Sequence, residues 1–285
     1  MVDRVVVELG DGRALGYVEY GDPEGVVVLS HHGGLLSAGD VAPLDERARS
    51  LSIRLVSFDR PGIGASAPAP GRTTADGGRD AVALLDSLGV GSAHVLGWSM
   101  GGQYALATAA ALGTRAVRTS VVAGCVPLDD AAALDELNAM DRRFTAMAQE
   151  HRRSLETVSA VWGGLARFSP SAWAKAAAKG ETEADVAAVR AHADELAAAA
   201  HDAAAQRDGL VEEYLAWARP WGFELSDVLS PVTLWQGDDD HLVPPAWAPR
   251  LADRLPSARV ERIPDAGHFL LLTHGDQILR DLVTT

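Results

Sequence analysis

Along the first 124 residues, short apolar runs alternate with longer stretches of helical periodicity. The runs are Val5–Val7, Gly16–Tyr20, Val26–Ser30, Arg54–Phe58, His94–Leu96 and Val117–Ala123. They are rich in β-branched residues and nearly continuous in hydrophobicity, which predicts strands covered on both faces. Gly10-Asp11-Gly12 and Gly21-Asp22-Pro23-Glu24-Gly25 join the early runs as turns and predict an antiparallel start to a sheet. After Val28 the connections lengthen, with helices expected over 40–50, 74–88 and 100–112. Strands that alternate with helices imply right-handed crossovers and a mainly parallel sheet.

The pattern changes between Val126 and Leu229. Alanine and charged residues dominate, and apolar positions recur at helical spacing in Leu137, Met140, Phe144 and Met147, and again in Leu210, Tyr214 and Trp217. Such stripes are read first as core. Gly163-Gly164, Pro170, Gly180 and Pro220 read as helix breaks, and Thr182-Glu183-Ala184-Asp185 as a capping box with Asp in place of Glu. Strand-like sequence resumes at Val232–Trp235, followed by a helix over 246–254, a strand at Ala258–Ile263 and a C-terminal helix. The expectation is an α/β core built from residues 1–125 and 230–285, with an all-α unit inserted over 126–229.

The chain has 285 residues and 47% hydrophobic residues, enough to bury a large core without covalent staples. Its single cysteine, Cys125, excludes an intramolecular disulfide and a cysteine-based zinc site. A formal net charge of −14 disfavours nucleic acid and anionic membranes as partners. MVDRVVVELGDG resembles neither a signal peptide nor a transit peptide, and no stretch approaches the roughly 20 apolar residues of a membrane helix. The protein is therefore expected in the cytoplasm, with a small molecule as its partner; oligomeric state is not legible.

Candidate chemistry is concentrated in three places. Residues 94–105 read HVLGWSMGGQYA, a buried strand running through Gly97-Trp98-Ser99-Met100-Gly101 into a helix. In that setting G-x-S-x-G is a nucleophile turn, with Ser99 exposed at the carboxyl edge of the sheet. LSHHGGLLS follows the strand at Val26–Leu29 and offers glycine N–H groups to a developing oxyanion. The N–H groups of Gly34 and Met100 are the expected donors, with His31 or His32 shaping the loop. A serine needs a base, and the base needs an orienting acid. His151, His192 and His201 fall in the helical insert. His268, on the loop leaving the last strand, emerges at the same sheet edge as Ser99 and is preferred to His241 and His274. The acid lies in GDDDHLVP, residues 237–244, where the local sequence leaves Asp238, Asp239 and Asp240 open. A metal site built from this trio is not expected.

With HGG after the third strand, DRPGIGAS at 59–66, GWSMGG, GDDDHLVP and IPDAGHF in this order and spacing, the chain resembles the α/β-hydrolase fold family over nearly its whole length. The resemblance implies an eight-stranded, mainly parallel sheet with helices on both faces and a helical cap. It implies Ser99, Asp240 and His268 as the triad, because Gly237 and Val243-Pro244 set the phase of the acid motif. Asp129 and Asp130 are the fallback acids, since some members draw the acid from there. Two departures stand out. Leu35-Leu36 replace the proline that many members carry after the HG pair, and the serine turn is not the GGSWGS of proline iminopeptidases.

Together these readings predict a serine hydrolase of a carboxylic ester or lactone, working through an acyl-enzyme and needing no cofactor or metal. His32, Leu35, Trp98, Trp162, Trp217 and Trp221 are the expected substrate contacts. The alternatives are the same triad turned to C–C bond hydrolysis, hydroxynitrile cleavage or a biosynthetic rearrangement, and a non-enzymatic binding module on this scaffold.

Overall fold

The computed structural model of the chain describes residues 3–128 and 131–284. Eight strands form one sheet: β1 (Val5–Glu8), β2 (Ala14–Gly21), β3 (Val26–His31), β4 (Ile53–Phe58), β5 (Ala93–Trp98), β6 (Ala116–Val122), β7 (Val232–Gly237) and β8 (Ala258–Ile263). Their spatial order is β1-β2-β4-β3-β5-β6-β7-β8. β2 pairs antiparallel with β1 and β4, and every pair from β4 across to β8 is parallel. Every residue of β5 and β7 is buried, including the polar His94, Thr233 and Gln236, as expected of central strands covered on both faces.

Two apolar layers cover the sheet. One contains Leu29, Val56, Val95, Tyr104 and Val121; the other contains Val28, Leu55, Leu96, Val122 and Trp235. Alternate residues of a strand thus feed opposite layers. In the core, α1 (Asp45–Ser50), α2 (Thr74–Ser87) and α3 (Gly101–Leu112) connect the parallel strands. The expected helix over 40–50 starts instead as a 3₁₀ segment, Ala38–Leu44, with Pro43 inside it, and becomes α-helical from Asp45.

Between β6 and β7, the described residues form α4 (Ala131–Glu136), α5 (Ala139–Glu150), α6 (Arg152–Phe168), α7 (Pro170–Ala177), α8 (Glu183–Ala191), α9 (Ala193–Ala203) and α10 (Gly209–Trp217). Then come α11 (Trp247–Ala252), α12 (Leu270–Thr273) and α13 (Gly275–Val283). One expected break is corrected: α6 runs uninterrupted through Gly163-Gly164. A Cβ at Gly163 would lie 2.5 Å from the Cβ of Ala204, so this glycine serves close packing just past the end of α9. The capping box at Thr182 forms by half. Thr182 Oγ1 accepts from the N–H of Asp185 at 3.1 Å, while the Asp185 carboxyl packs against Gly267. Among the described residues no helix is long and apolar enough to cross a membrane.

Candidate active site

Ser99 follows β5 with φ +54°, a left-handed conformation that a non-glycine residue adopts only under constraint. The constraint is visible. Its N–H donates to the carbonyl of Val122 on β6 at 2.8 Å, and its own carbonyl accepts from Gly102 at 2.9 Å. The flanking glycines are required by crowding. A Cβ at Gly97 would come 2.5 Å from the carbonyl oxygen of Gly101, and one at Gly101 would overlap the carbonyl oxygen of His31. The turn thus lifts Ser99 to the carboxyl edge of the sheet at the start of α3, whose free N–H groups favour negative charge.

His268 lies on the loop after β8, buried, with Nδ1 3.1 Å and 3.2 Å from the two carboxylate oxygens of Asp240. Asp240 is held in turn. Its Oδ1 accepts from the N–H groups of Leu242 (2.9 Å) and Val243 (2.8 Å), and its Oδ2 from Gln236 Nε2 (3.2 Å). Its neighbours are differently placed. Asp238 is exposed and pairs with Arg262 at 2.6 Å, and Asp239 is exposed. The three carboxylates therefore do not converge. Burial pulls the His268 imidazole down, but the charge and hydrogen bond of Asp240, aided by Glu181 and Asp141, outweigh it. The ring is held above the ordinary 6.5. The competing histidines are elsewhere: His151 and His241 are exposed, and His274 bonds to Thr273. Asp129 and Asp130 lie outside the described residues.

The glycine loop after β3 packs directly on the serine turn. A Cβ at Gly34 would meet Met100 Cε at 3.3 Å. Among the described residues, the N–H groups of Gly34 and Met100 have no backbone or side-chain acceptor, so both remain available. Leu35, next in the loop, takes φ +61°. The loop is braced from behind. Gly33 N–H donates to Asp40 Oδ2 at 2.8 Å, and Arg60 Nη1 donates to the carbonyl of His32 at 2.6 Å. Arg60 in turn is paired with Glu213 of α10, which also accepts from Arg72 at 2.6 Å. Burial pushes the Asp40 carboxyl up to about 7, against the opposing effects of the Gly33 bond and Arg60.

Ser99, Gly34, Met100 and His268 open on one cavity of about 330 Å³. Of the expected substrate contacts, Leu35, Trp98, Trp162 and Trp217 line it. Trp98 also clamps the histidine loop, its Nε1 donating to the carbonyl of His268 at 3.1 Å. The structure does not bring the other two to the wall. His32 is fully buried beneath the loop, its Nδ1 2.8 Å from the Gly33 carbonyl oxygen, and burial with Arg60 keeps its pKa well below 6.5. Trp221 stacks on Phe223, its ring spent on the core. Residues read only as core stripe do reach the wall: Leu137, Met140 and Tyr214. Asp141, which sequence reasoning missed, lines it too. Its signal was available, since it falls four residues after Leu137 and three before Phe144, a charge on an apolar stripe.

The sequence profile of the alpha/beta hydrolase fold matches residues 26–275. A pimeloyl-[acyl-carrier protein] methyl ester esterase from Aromatoleum aromaticum is 42% identical over 66 residues, 22% of this chain and 26% of that protein. The polyketide synthase ThaQ from Burkholderia thailandensis is 29% identical over 244 residues, 85% of this chain but 11% of that protein. The matches thus span about a quarter and about a tenth of these two curated relatives. Among solved structures, the enol-lactonase from Burkholderia xenovorans LB400 superposes with a TM-score of 0.68 at 20% identity, covering 98% of both chains.

Proposed function

The chain belongs to the α/β-hydrolase fold family, and from that premise we propose that it is a serine hydrolase cleaving a carboxylic ester or lactone. The observation that carries this reading is the convergence on one cavity of three features. They are a serine held in a strained turn, a histidine bonded to a buried carboxylate, and two N–H groups without acceptors. Similarity to proteins named as an esterase and an enol-lactonase supports an ester linkage as the target.

In the proposed reaction Ser99 Oγ adds to the carbonyl carbon as its proton passes to Nε2 of His268. The carbonyl electron pair moves onto oxygen, where the N–H groups of Gly34 and Met100 receive it. Collapse breaks the ester C–O bond, and the leaving alkoxide takes the proton from Nε2. Water then repeats the addition at the acyl-enzyme, with the same proton path reversed, to release the acid and free Ser99. Asp240 keeps the proton of the neutral ring on Nδ1 and stabilises the imidazolium.

The helices between β6 and β7, residues 126–229, are proposed to act as a lid that excludes water. The cavity is mostly apolar and of modest volume, which fits a small to medium hydrophobic substrate. The test is covalent. A fluorophosphonate probe is expected to label the folded protein at Ser99, and Ser99→Ala to abolish both labelling and turnover of aryl esters. Folded protein that takes no label and turns over no ester would end this reading.

A further inference from the structure

The cavity wall is apolar apart from a few groups. Among the described residues, beyond His268 and Lys179, the charged side chain on the wall is Asp141, at the first turn of α5. Asp141 is fixed rather than free. Tyr214 Oη on α10 donates to its Oδ1 at 2.8 Å, and Asn138 Nδ2 donates to its Oδ2 at 2.7 Å. Asn138 Oδ1 accepts from the N–H of Asp141 at 3.0 Å, and Asn138 Nδ2 reaches the carbonyl of Leu242, two residues beyond Asp240. The carboxyl is thus pinned between two helices and the loop of the triad acid.

A carboxylate has about four lone-pair positions, and these two donors occupy only one on each oxygen. Asp141 is partly exposed although its surroundings are largely desolvated, and its surface opens on the cavity. A pinned carboxyl with spare acceptor capacity in an apolar wall is the arrangement that orients a ligand through a single polar contact.

We propose that Asp141 is a specificity-determining residue that accepts a hydrogen bond from an O–H or N–H group of the substrate, carried on the part that fills the cavity beyond the reacting carbonyl. The preferred substrates are then hydroxylated or amino-bearing esters or lactones, not plain alkyl ones. This rests on the serine-hydrolase reading above.

The test uses the full chain and matched aryl and alkyl esters of graded length, ending in methyl, hydroxyl, ammonium or carboxylate on the acyl or the alcohol side. At one length the hydroxyl or ammonium ester is expected to exceed its methyl counterpart by about 10- to 100-fold in kcat/KM, the worth of one hydrogen bond to a charged acceptor. In Asp141→Ala that ratio falls toward one. In Tyr214→Phe, which keeps Asp141 but removes one of its two pins, it falls only in part. Wild-type protein that turns over methyl esters as well as hydroxyl and ammonium ones at every length overturns the assignment. So does a preference for carboxylate esters, which would point to Lys179 instead, or a ratio that survives in Asp141→Ala. These results leave Ser99 labelling intact, whereas absence of both labelling and all turnover overturns the hydrolase reading and this assignment with it.

Discussion

A carboxylate orients an imidazole only if its own lone pairs are held, and at residue scale this separates Asp240 from its two neighbours. Asp240 has two backbone N–H donors and an amide behind it, whereas Asp238 and Asp239 face solvent. Asp240→Asn is expected to lower kcat by on the order of 10⁴-fold through the wrong tautomer. Asp238→Asn and Asp239→Asn are expected to stay within about twofold, as exposed substitutions do. The pH profile carries the same distinction. In the proposed reaction His268 must be neutral, and its pKa is held above 6.5, so kcat/KM should climb with pH through an acid limb lying above that value. In Asp240→Asn the largest raising influence is gone while burial remains, so the limb of the residual activity moves to lower pH. A limb that stays in place in that variant would separate Asp240 from the titration of His268.

At the scale of elements, the inner strands were legible because burial on both faces writes continuous β-branched runs, and each run lies within a strand or within a residue of its end; the expectation of two covered faces fails at the sheet's edges, where β1 is largely exposed and β8 has no buried residue. The candidate residues Ser99, Asp240 and His268 could be named from sequence because each sits on a loop whose glycines or prolines fix a turn, and the structure brings His268 and Asp240 into contact and places Ser99 on the same cavity as His268. What escaped was set by contacts distant in the chain. Gly163-Gly164 read as a break because glycine lowers helix propensity, yet Gly163 answers to Ala204, some forty residues away. The two glycines give a paired prediction. Gly163→Ala forces its new Cβ into Ala204 and is expected to destabilise by about 1–3 kcal/mol, as overpacking does. A Cβ at Gly164 meets nothing within 4 Å, so Gly164→Ala should stabilise by up to about 1 kcal/mol through helix propensity. Chemical denaturation of both variants is the measurement, and a shared sign would sink the explanation. Glu213 escaped for the same reason. Nothing near it in sequence announces that it bridges Arg60 and Arg72 from α10. Its loss should act at two levels, because Arg60 also holds the His32 carbonyl. Glu213→Gln leaves buried cations without a counter-charge and is expected to cost about 3–5 kcal/mol. It should also slow turnover by loosening the His32-Gly33-Gly34 loop, which carries the proposed oxyanion donor Gly34. A variant of reduced stability with unchanged kcat would confine Glu213 to packing.

For the whole molecule, stability against pH is a contest between buried acids and buried histidines. Asp40, at about 7, and Asp59, Asp141, Asp185 and Glu181 have carboxyls raised chiefly by burial. Such a group keeps its proton in the folded chain after the unfolded chain has released it, so stability is lost as pH rises through that interval. His268, raised above 6.5, acts in the same sense: its contribution is present at lower pH and fades as pH climbs through its folded value. A net charge of −14 adds self-repulsion that does not relax until the acids protonate. His31 and His32 oppose this. Their folded pKa values lie well below 6.5, so below that pH the unfolded chain takes up protons that the native state refuses, and stability falls with further acid. The two tendencies cross near the ordinary histidine value. The Tm is therefore expected to rise as pH is lowered from about 8 to about 6.5 and to turn over below it. Asp40 has its folded value inside that upper interval, which makes it the residue to change. Asn at this position can still accept the Gly33 N–H through its oxygen and carries no charge to desolvate. Asp40→Asn should thus show a higher Tm than wild type at about pH 8 and a shallower slope down to about 6.5. Calorimetric scans of both proteins across this range decide it. A wild-type Tm that rises toward alkaline pH, or a variant that keeps the full slope, would assign the pH response to groups other than the Asp40 carboxyl that accepts from Gly33.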